Sequence, residues 1–362
     1  VLAAAFGAAL AAVEPGRRLP PLLPPPDDHP TRVLAVGKAA AAQLAAFAGA
    51  WPAPVTGLLV VPHATPVPAA ARLPGMAVLA AGHPVPDAAS LDAGERALAL
   101  ARDAPADGRL VVLLSGGASA LLEAPAPGIA LADLQAWNRQ LLAAGAEIHA
   151  INGLRRKLSR IKGGRLAAAF AGAELWLFAL SDVPGDAIAD IGSGPCAPDP
   201  VGLAAANDAV ARLGLAPPPA IAARLADPAA APLPADHPAF RHVRAALIGR
   251  PADALAAAAS VLRAAGYAVT PLGEAEGPAV TLAAAHAALV ATAAERGERR
   301  AFVSGGEATV AVRNAAGRGG RNTCYLLALA RALPPGCPVH ALAADTDGRD
   351  GSGDHAGAWL SP

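Results

Sequence analysis

A chain of 362 residues predicts about two domains, and its 54 % hydrophobic content with only 3 % aromatics predicts cores packed from Leu, Val and Ala. Lys plus Arg and Asp plus Glu both number 29, a neutral balance that argues against a nucleic-acid or membrane-surface role. Three widely spaced cysteines, Cys196, Cys324 and Cys337, argue for a reducing compartment and against a metal cluster.

Val1–Val13 reads as an amphipathic first helix, too short at its apolar core to span a bilayer and with no basic segment before it. After the proline-rich stretch 15–30, Thr31–Val36 reads as a strand ending at Gly37-Lys38, and Ala39–Ala50 as a helix. Lys38 stands at a strand's carboxyl end, where open α/β sheets bind ligands; a lysine at a helix start opposes the helix dipole, so its presence there asks for a role. Gly57–Val61 and Ala77–Ala81 are expected strands, His83–Asp87 (HPVPD) a stiff turn, and Ser90–Ala104 a helix capped by Ser90.

Arg109–Leu122 (RLVVLLSGGASALL) is the central stretch. Leu110–Leu114 suits a strand buried on both faces. It runs into Ser115-Gly116-Gly117-Ala118-Ser119, whose glycines allow a sharp turn and close approach of a ligand, with Ser115 or Ser119 expected to cap a following helix. A plain βα turn is the alternative. Arg300–Val303 leading into Ser304-Gly305-Gly306-Glu307 echoes the pattern, and two such loops suggest two walls of one cleft.

Ala130–Ala144 is an expected helix, and Ile148–Ala169 is expected to be helical around a break at Gly163-Gly164. Asn152–Arg165 (NGLRRKLSRIKGGR) carries six basic residues. Arg155, Ser159 and Lys162 would share one helix face, suited to phosphate or carboxylate, against the ordinary reading of a solvated charge run. Glu174–Leu180 reads as a buried strand ending at Ser181-Asp182-Val183-Pro184-Gly185-Asp186, where carboxylates suit Mg²⁺ or general-base work. Ile191–Pro195 (IGSGP) is a tight loop.

A Pro- and Ala-rich stretch, 217–238, predicts the domain boundary, with Val243–Leu247 opening the second unit. Helices follow at Asp253–Ala265, Val280–Glu295 and Thr323–Ala332, strands at Tyr267–Pro271, Ala301–Val303 and Pro338–Ala343, and a hairpin-like piece at Thr309–Val312. Gly317–Asn322 (GRGGRN) is a candidate anion nest with Asn322 as cap and Arg318 and Arg321 as flanking guanidiniums. Asp345-Thr346-Asp347-Gly348 closes the last strand and could bind a cation or stabilise the arginines. No P-loop, dinucleotide fingerprint, zinc spacing or nucleophile elbow occurs. Basic groups, glycine turns and strand-end aspartates are the parts of phosphoryl transfer.

VGKAA at Val36–Ala40, HPVPD at His83–Asp87, LLSGGASAL at Leu113–Leu121, INGLRRKLSRIKGGRLA at Ile151–Ala167, LSDVPGD at Leu180–Asp186, IGSGP at Ile191–Pro195, SGGEATV at Ser304–Val310, GRGGRN at Gly317–Asn322 and ALAADTDGRDG at Ala341–Gly351 together resemble the type II, MOFRL-containing glycerate 2-kinases, in order and over nearly the whole chain. The resemblance implies transfer of the ATP γ-phosphoryl to the 2-hydroxyl of D-glycerate with Mg²⁺. It implies an α/β protein of two domains: a larger Rossmann-like, doubly wound domain over 1–235 and a smaller α/β domain over 236–362.

The family's active-site lysine falls on Lys38 and its arginine on Arg321, with Asp182 as the further catalytic candidate. The nucleotide loop falls on Ser115, Gly116, Gly117 and Ser119, joined by Lys162 and Gly194. Arg155, Glu307, Arg318 and Asn322 are the substrate-binding candidates, and Asp186 and Asp345 the metal candidates. D-glycerate and ATP are the expected small-molecule partners, a homodimer is the candidate assembly, and the cytoplasm the expected compartment. Members are often labelled hydroxypyruvate reductase, so an NAD(P)H-dependent reductase is the alternative, and a non-catalytic binder of phosphorylated acids a third. Cys196 stands where a Thr is usual, and Thr323-Cys324 where Gln-Glu is usual. The family normally continues past Pro362, so the second domain is expected to be incomplete at its end.

Overall fold

The computed structural model describes residues 1–144, 148–311 and 317–362. After α1 (Leu2–Ala12) the chain runs through α2 (Pro15–Arg18), β1 (Thr31–Val36), α3 (Ala40–Ala50), β2 (Thr56–Pro62), β3 (Met76–Ala81), α4 (Ala88–Arg102), β4 (Arg109–Leu114), α5 (Ala118–Leu121), α6 (Leu131–Ala143), α7 (Ile148–Lys157), α8 (Arg165–Ala169), β5 (Glu174–Leu180), α9 (Leu203–Arg212), α10 (Pro219–Ala226) and β6 (Val243–Gly249). The strands form one six-stranded sheet in the order β3-β2-β1-β4-β5-β6. The pairs β2–β3, β1–β2, β1–β4 and β4–β5 are all parallel. This is the doubly wound order: the chain winds outward from β1 on one side and from β4 on the other, which leaves a crevice at the carboxyl ends of β1 and β4.

Parallel strands covered on both faces must be apolar throughout, and they are. Leu34 and Val36 of β1 face one core with Leu110, Val112 and Leu114 of β4 and Ala93 and Ala97 of α4. Val33 and Ala35 face the other, with Val111, Leu113, and Leu44 and Phe47 of α3. Every residue of β4 is buried, at about 1.5–3 kcal/mol for each large apolar side chain. Arg109 opens this strand with its side chain only 2 % exposed, paired with Asp27 at 2.6 Å and Glu174 at 2.7 Å. A buried guanidinium is tolerated because its donors are met.

Helix α4 starts earlier than expected and is capped by Asp87 rather than Ser90. Asp87 Oδ1 accepts from Ser90 N at 2.9 Å, and Ser90 Oγ accepts from Asp87 N at 3.1 Å, a capping box in which Ser90 is the reciprocal member.

The contacts divide the chain into Pro15–Ile248 and a second unit of Val1–Glu14 with Gly249–Pro362. This differs in two places from the division expected at 235/236. Val243–Leu247 does not open the second unit but adds to the large sheet beside β5. Helix α1 belongs to the second unit, because Ala5 is buried there with Ala258 and Leu262 of α11 (Pro251–Ala264).

That unit continues with β7 (Ala268–Glu274), β8 (Gly277–Pro278), α12 (Ala279–Glu295), β9 (Arg300–Gly305), β10 (Ala308–Thr309), α13 (Arg321–Ala332), β11 (Ala341–Ala344) and β12 (Gly357–Leu360). β7 pairs parallel with β9 and β11 antiparallel with β12. The expected hairpin at Thr309–Val312 does not form in its described part: β10 pairs parallel with β8, and Val312 lies outside the described residues. Among the described residues no helix is long and apolar enough to cross a membrane.

Candidate active site

The carboxyl ends of β1 and β4 are stitched together by backbone and serine bonds. Lys38 N donates to Gly116 O at 2.9 Å, Ala39 N to Ser115 Oγ at 3.0 Å, and Ser115 N to Val36 O at 3.1 Å. Close approach is why residue 37 is glycine: its φ is +128°, and a Cβ there would lie 2.6 Å from the Ser115 carbonyl oxygen. Ser115 is therefore spent on holding α3's start and does not cap α5. Gly117, in the left-handed region, is the N-cap of α5 without a side-chain bond. Helix α5 is a single turn, so its dipole is a small part of any anion site here.

Side chains from other strand ends close on the two glycines. A Cβ on Gly116 would lie 2.6 Å from the Asp182 carboxyl carbon. One on Gly117 would meet His83 Cδ2 at 2.9 Å and Lys38 Cγ at 3.5 Å. Asp182 follows β5, His83 follows β3, and Lys38 follows β1. Asp182 is reached by solvent yet crowded by protein. That desolvation raises its pKa, opposed by the charge of Lys38, and the net direction is upward from 3.8. A carboxylate with a raised pKa beside an ammonium group has the character of a general base.

Ser119 also fails to cap. Its Oγ lies 2.7 Å from Ser193 Oγ, and Ser193 Oγ lies 3.3 Å from Asn152 Oδ1. Ser193 has φ +60° between Gly192 at +58° and Gly194 at +61°, three successive left-handed residues that turn the IGSGP loop back on the glycine loop. Gly164 N donates to Gly194 O at 2.8 Å, so Gly194 serves the frame around the loop.

The basic run does not form one helical face. Helix α7 ends at Lys157, and Ser159 and Lys162 lie beyond it. Its charges are answered by protein. Arg156 binds Asp199 at 2.7 Å and Asp190 at 2.9 Å, Lys157 binds Asp199, and Arg160 binds Glu95. Lys162, 1 % exposed, is paired with Glu123. Burial pulls its pKa down against the pull of Glu123. Its expected phosphate contact would have to break that buried pair. Arg155 donates to Asn138 Oδ1 at 3.1 Å and is half-buried. This network braces the loops from behind.

In the second unit, Arg321 opens α13 and is held by two carboxylates. Its Nε and Nη2 donate to Asp345 Oδ2 at 3.0 and 2.8 Å, and Nη1 binds Glu307. Asp345, expected at a metal, is committed to the guanidinium, and Glu307, expected at substrate, meets it too. Arg318 is exposed.

At the start of α13, where the glycine loop was expected to offer an anion nest, a carboxylate of the protein itself takes the first helical amides. Asp350, 0 % exposed, accepts from Asn322 N and Thr323 N, both at 2.9 Å, and from Asn322 Nδ2 at 3.2 Å. Asn322, expected to cap α13, instead lies within it behind the N-cap Gly320 and donates to Asp350. Burial pulls the Asp350 pKa up, but these bonds prevail and hold it below the usual carboxylate value. Asp350→Asn is expected to cost about 2–4 kcal/mol at pH 7, since buried donors lose their charged acceptor. A folded pKa below the unfolded one contributes stability above the unfolded value and loses it as pH falls through the folded one. The gap between wild type and variant should therefore narrow as pH falls below about 4. Urea melts of both proteins across that range check it.

Residues 1–226 match the family model described as a domain of unknown function, DUF4147, and residues 300–362 match the MOFRL family. A Pyrococcus horikoshii protein named glycerate 2-kinase is 34 % identical over 77 % of this chain and 65 % of its own length. The crystal structure of a Thermotoga maritima glycerate kinase superposes with a TM-score of 0.82 at 28 % identity, covering 99 % of this chain and 86 % of that one. The chain belongs to the glycerate 2-kinase family. It is a kinase. An Agrobacterium vitis protein bearing a hydroxypyruvate reductase name is 39 % identical over 100 % of this chain and 82 % of its own.

Against that family's pattern, Cys196 proves to be a core residue, 2 % exposed, whose thiol burial pushes well up. It packs as a small apolar group and is not placed for chemistry. For Mg²⁺, the donor set is thin: among the described residues no three His, Cys, Asp or Glu side chains are grouped to hold a metal. Asp186 nonetheless fits, because its Oδ1 is buried with no hydrogen-bond partner among the described residues. Kinase Mg²⁺ takes one or two carboxylates and completes its shell with phosphates and water. The residues that sequence reasoning missed are Asp350, Glu123 and His83. The first two act over long sequence separations, and His83 was legible only as part of a turn motif.

Proposed function

We propose that this kinase transfers the γ-phosphoryl group of ATP to the 2-hydroxyl of D-glycerate, giving ADP and 2-phosphoglycerate, with Mg²⁺. The observation that carries the reading is the meeting of Lys38 and Asp182 at Gly116-Gly117, at the switch point of the parallel sheet. The names of the Pyrococcus and Thermotoga relatives support the choice of acceptor.

In this reading Asp182 takes the proton of the attacking hydroxyl, for which its raised pKa suits it. Lys38 neutralises charge on the transferring group, and Arg321, onto which the family's active-site arginine falls, is the further catalytic candidate, its planar guanidinium suited to phosphate. The glycine loop positions phosphate by letting it approach the backbone. Asp186 would hold Mg²⁺, which when bound supplies positive charge to the phosphate oxygens.

The reductase reading has no such support. Where a dinucleotide fold carries its glycine fingerprint after β1, this chain has Gly37-Lys38-Ala39-Ala40. Purified protein given D-glycerate with ATP·Mg²⁺ is expected to release ADP, and given D-glycerate with NAD(P)⁺ to produce no NAD(P)H. NAD(P)H formation without ADP release would reverse the assignment.

A further inference from the structure

We infer that His83 receives the carboxylate of the acceptor and thereby selects 2-hydroxy acids. The inference rests on the kinase reading above, in which Asp182 is the base.

Asp182 lies against Gly116 and His83 against Gly117, neighbours whose Cα atoms are about 3.8 Å apart. In a 2-hydroxy acid the reacting hydroxyl and the carboxylate sit on adjacent carbons. A group that holds the carboxylate must therefore stand beside the base at about the breadth of one residue. His83 stands there. A Cβ on Gly117 would be 2.9 Å from its Cδ2 and 3.0 Å from its Nε2, so the ring packs directly on this glycine. The ring is exposed at the carboxyl edge of the sheet, on the same glycine as the stem of Lys38.

The segment that presents His83 is anchored from below. Gly82 packs on Asp87, a Cβ there lying 3.0 Å from the Asp87 carboxyl carbon. Asp87 in turn caps α4 and meets His63 Nε2 at 2.6 Å. Burial raises the Asp87 pKa, but the bonds from His63, Ser90 and Gly82 outweigh it and hold it at about 2, so the anchor is ionised at neutral pH. These contacts fix the backbone that carries the imidazole, which lowers the ordering cost of an anion contact there. A hydrogen bond to a charged group is worth about 10- to 100-fold in affinity.

The test uses the full chain and the variants H83A, H83N and H83L, with D-glycerate affinity from calorimetry, steady-state kinetics and thermal melts. H83A is expected to raise both Kd and KM for D-glycerate at least about tenfold, with kcat within about threefold and the melting temperature within about 2 °C. H83N, which keeps an N–H donor, should recover part of the affinity, and H83L, which keeps only bulk, should not. Unchanged affinity in H83A, recovery by H83L, or a collapse of melting temperature alongside activity overturns the inference while the kinase reading stands. Wild-type protein that neither binds nor phosphorylates D-glycerate overturns both.

Discussion

Lys38→Ala is expected to lower kcat/KM for phosphoryl transfer by at least about 10²-fold, roughly 2.7 kcal/mol of transition-state stabilisation. Charge builds on the phosphoryl oxygens as transfer proceeds, and a single cation in that position can be worth on the order of 10³-fold. The fold should be spared. Lys38 is exposed, and the bond that ties its segment to Gly116 is made by its backbone N, which alanine keeps. Melting temperature should move by no more than a few degrees. The pH profile offers a second reading of the same variant. Lys38 lowers the pKa of Asp182 against the effect of burial, so removing it lets that pKa rise further. If Asp182 is the base, the acidic limb of kcat/KM shifts to higher pH in Lys38→Ala. Near-wild-type turnover would remove Lys38 from the mechanism.

Arg321→Ala is expected to cost at least about 10²-fold in kcat/KM as well, and unlike Lys38→Ala it should also cost stability. The guanidinium holds Asp345, whose side chain is 12 % exposed, and alanine leaves that carboxylate without its two donors from Arg321. A cost of about 1–3 kcal/mol follows. Arg321→Lys should restore part of the stability through its charge but little of the rate, because a point charge does not replace a planar fork. Kinetics and melts on the two variants separate these effects. Full rescue of rate by lysine would contradict a bidentate role.

Much of the sheet was legible because its signals are local. The strands at Thr31–Val36 and Glu174–Leu180 are read to the residue, since each is a short apolar run bounded by turn residues. Local signals failed where a distant group decided the outcome. Ser90 and Asp87 both satisfy cap chemistry, and only the three-dimensional start of α4 makes Asp87 the cap. The basic run reads as an anion site until Asp190, Asp199 and Glu123, which lie 34 to 43 residues away, are seen to answer it. GGRN reads as a ligand's anion site until Asp350, which lies 28 residues downstream of Asn322, is seen to take the amides at the start of α13. Val243–Gly249 has the pattern of a strand, yet which sheet it joins is a matter of topology that periodicity does not carry.

The central claim is that this kinase phosphorylates the 2-hydroxyl of D-glycerate. Phosphorus and carbon NMR of the product formed from D-glycerate and ATP·Mg²⁺ tests it most directly. The account predicts 2-phosphoglycerate, with phosphorus coupled to the C2 proton, and an equal amount of ADP. A product carrying phosphorus on C3, or D-glycerate recovered without phosphate, would contradict it.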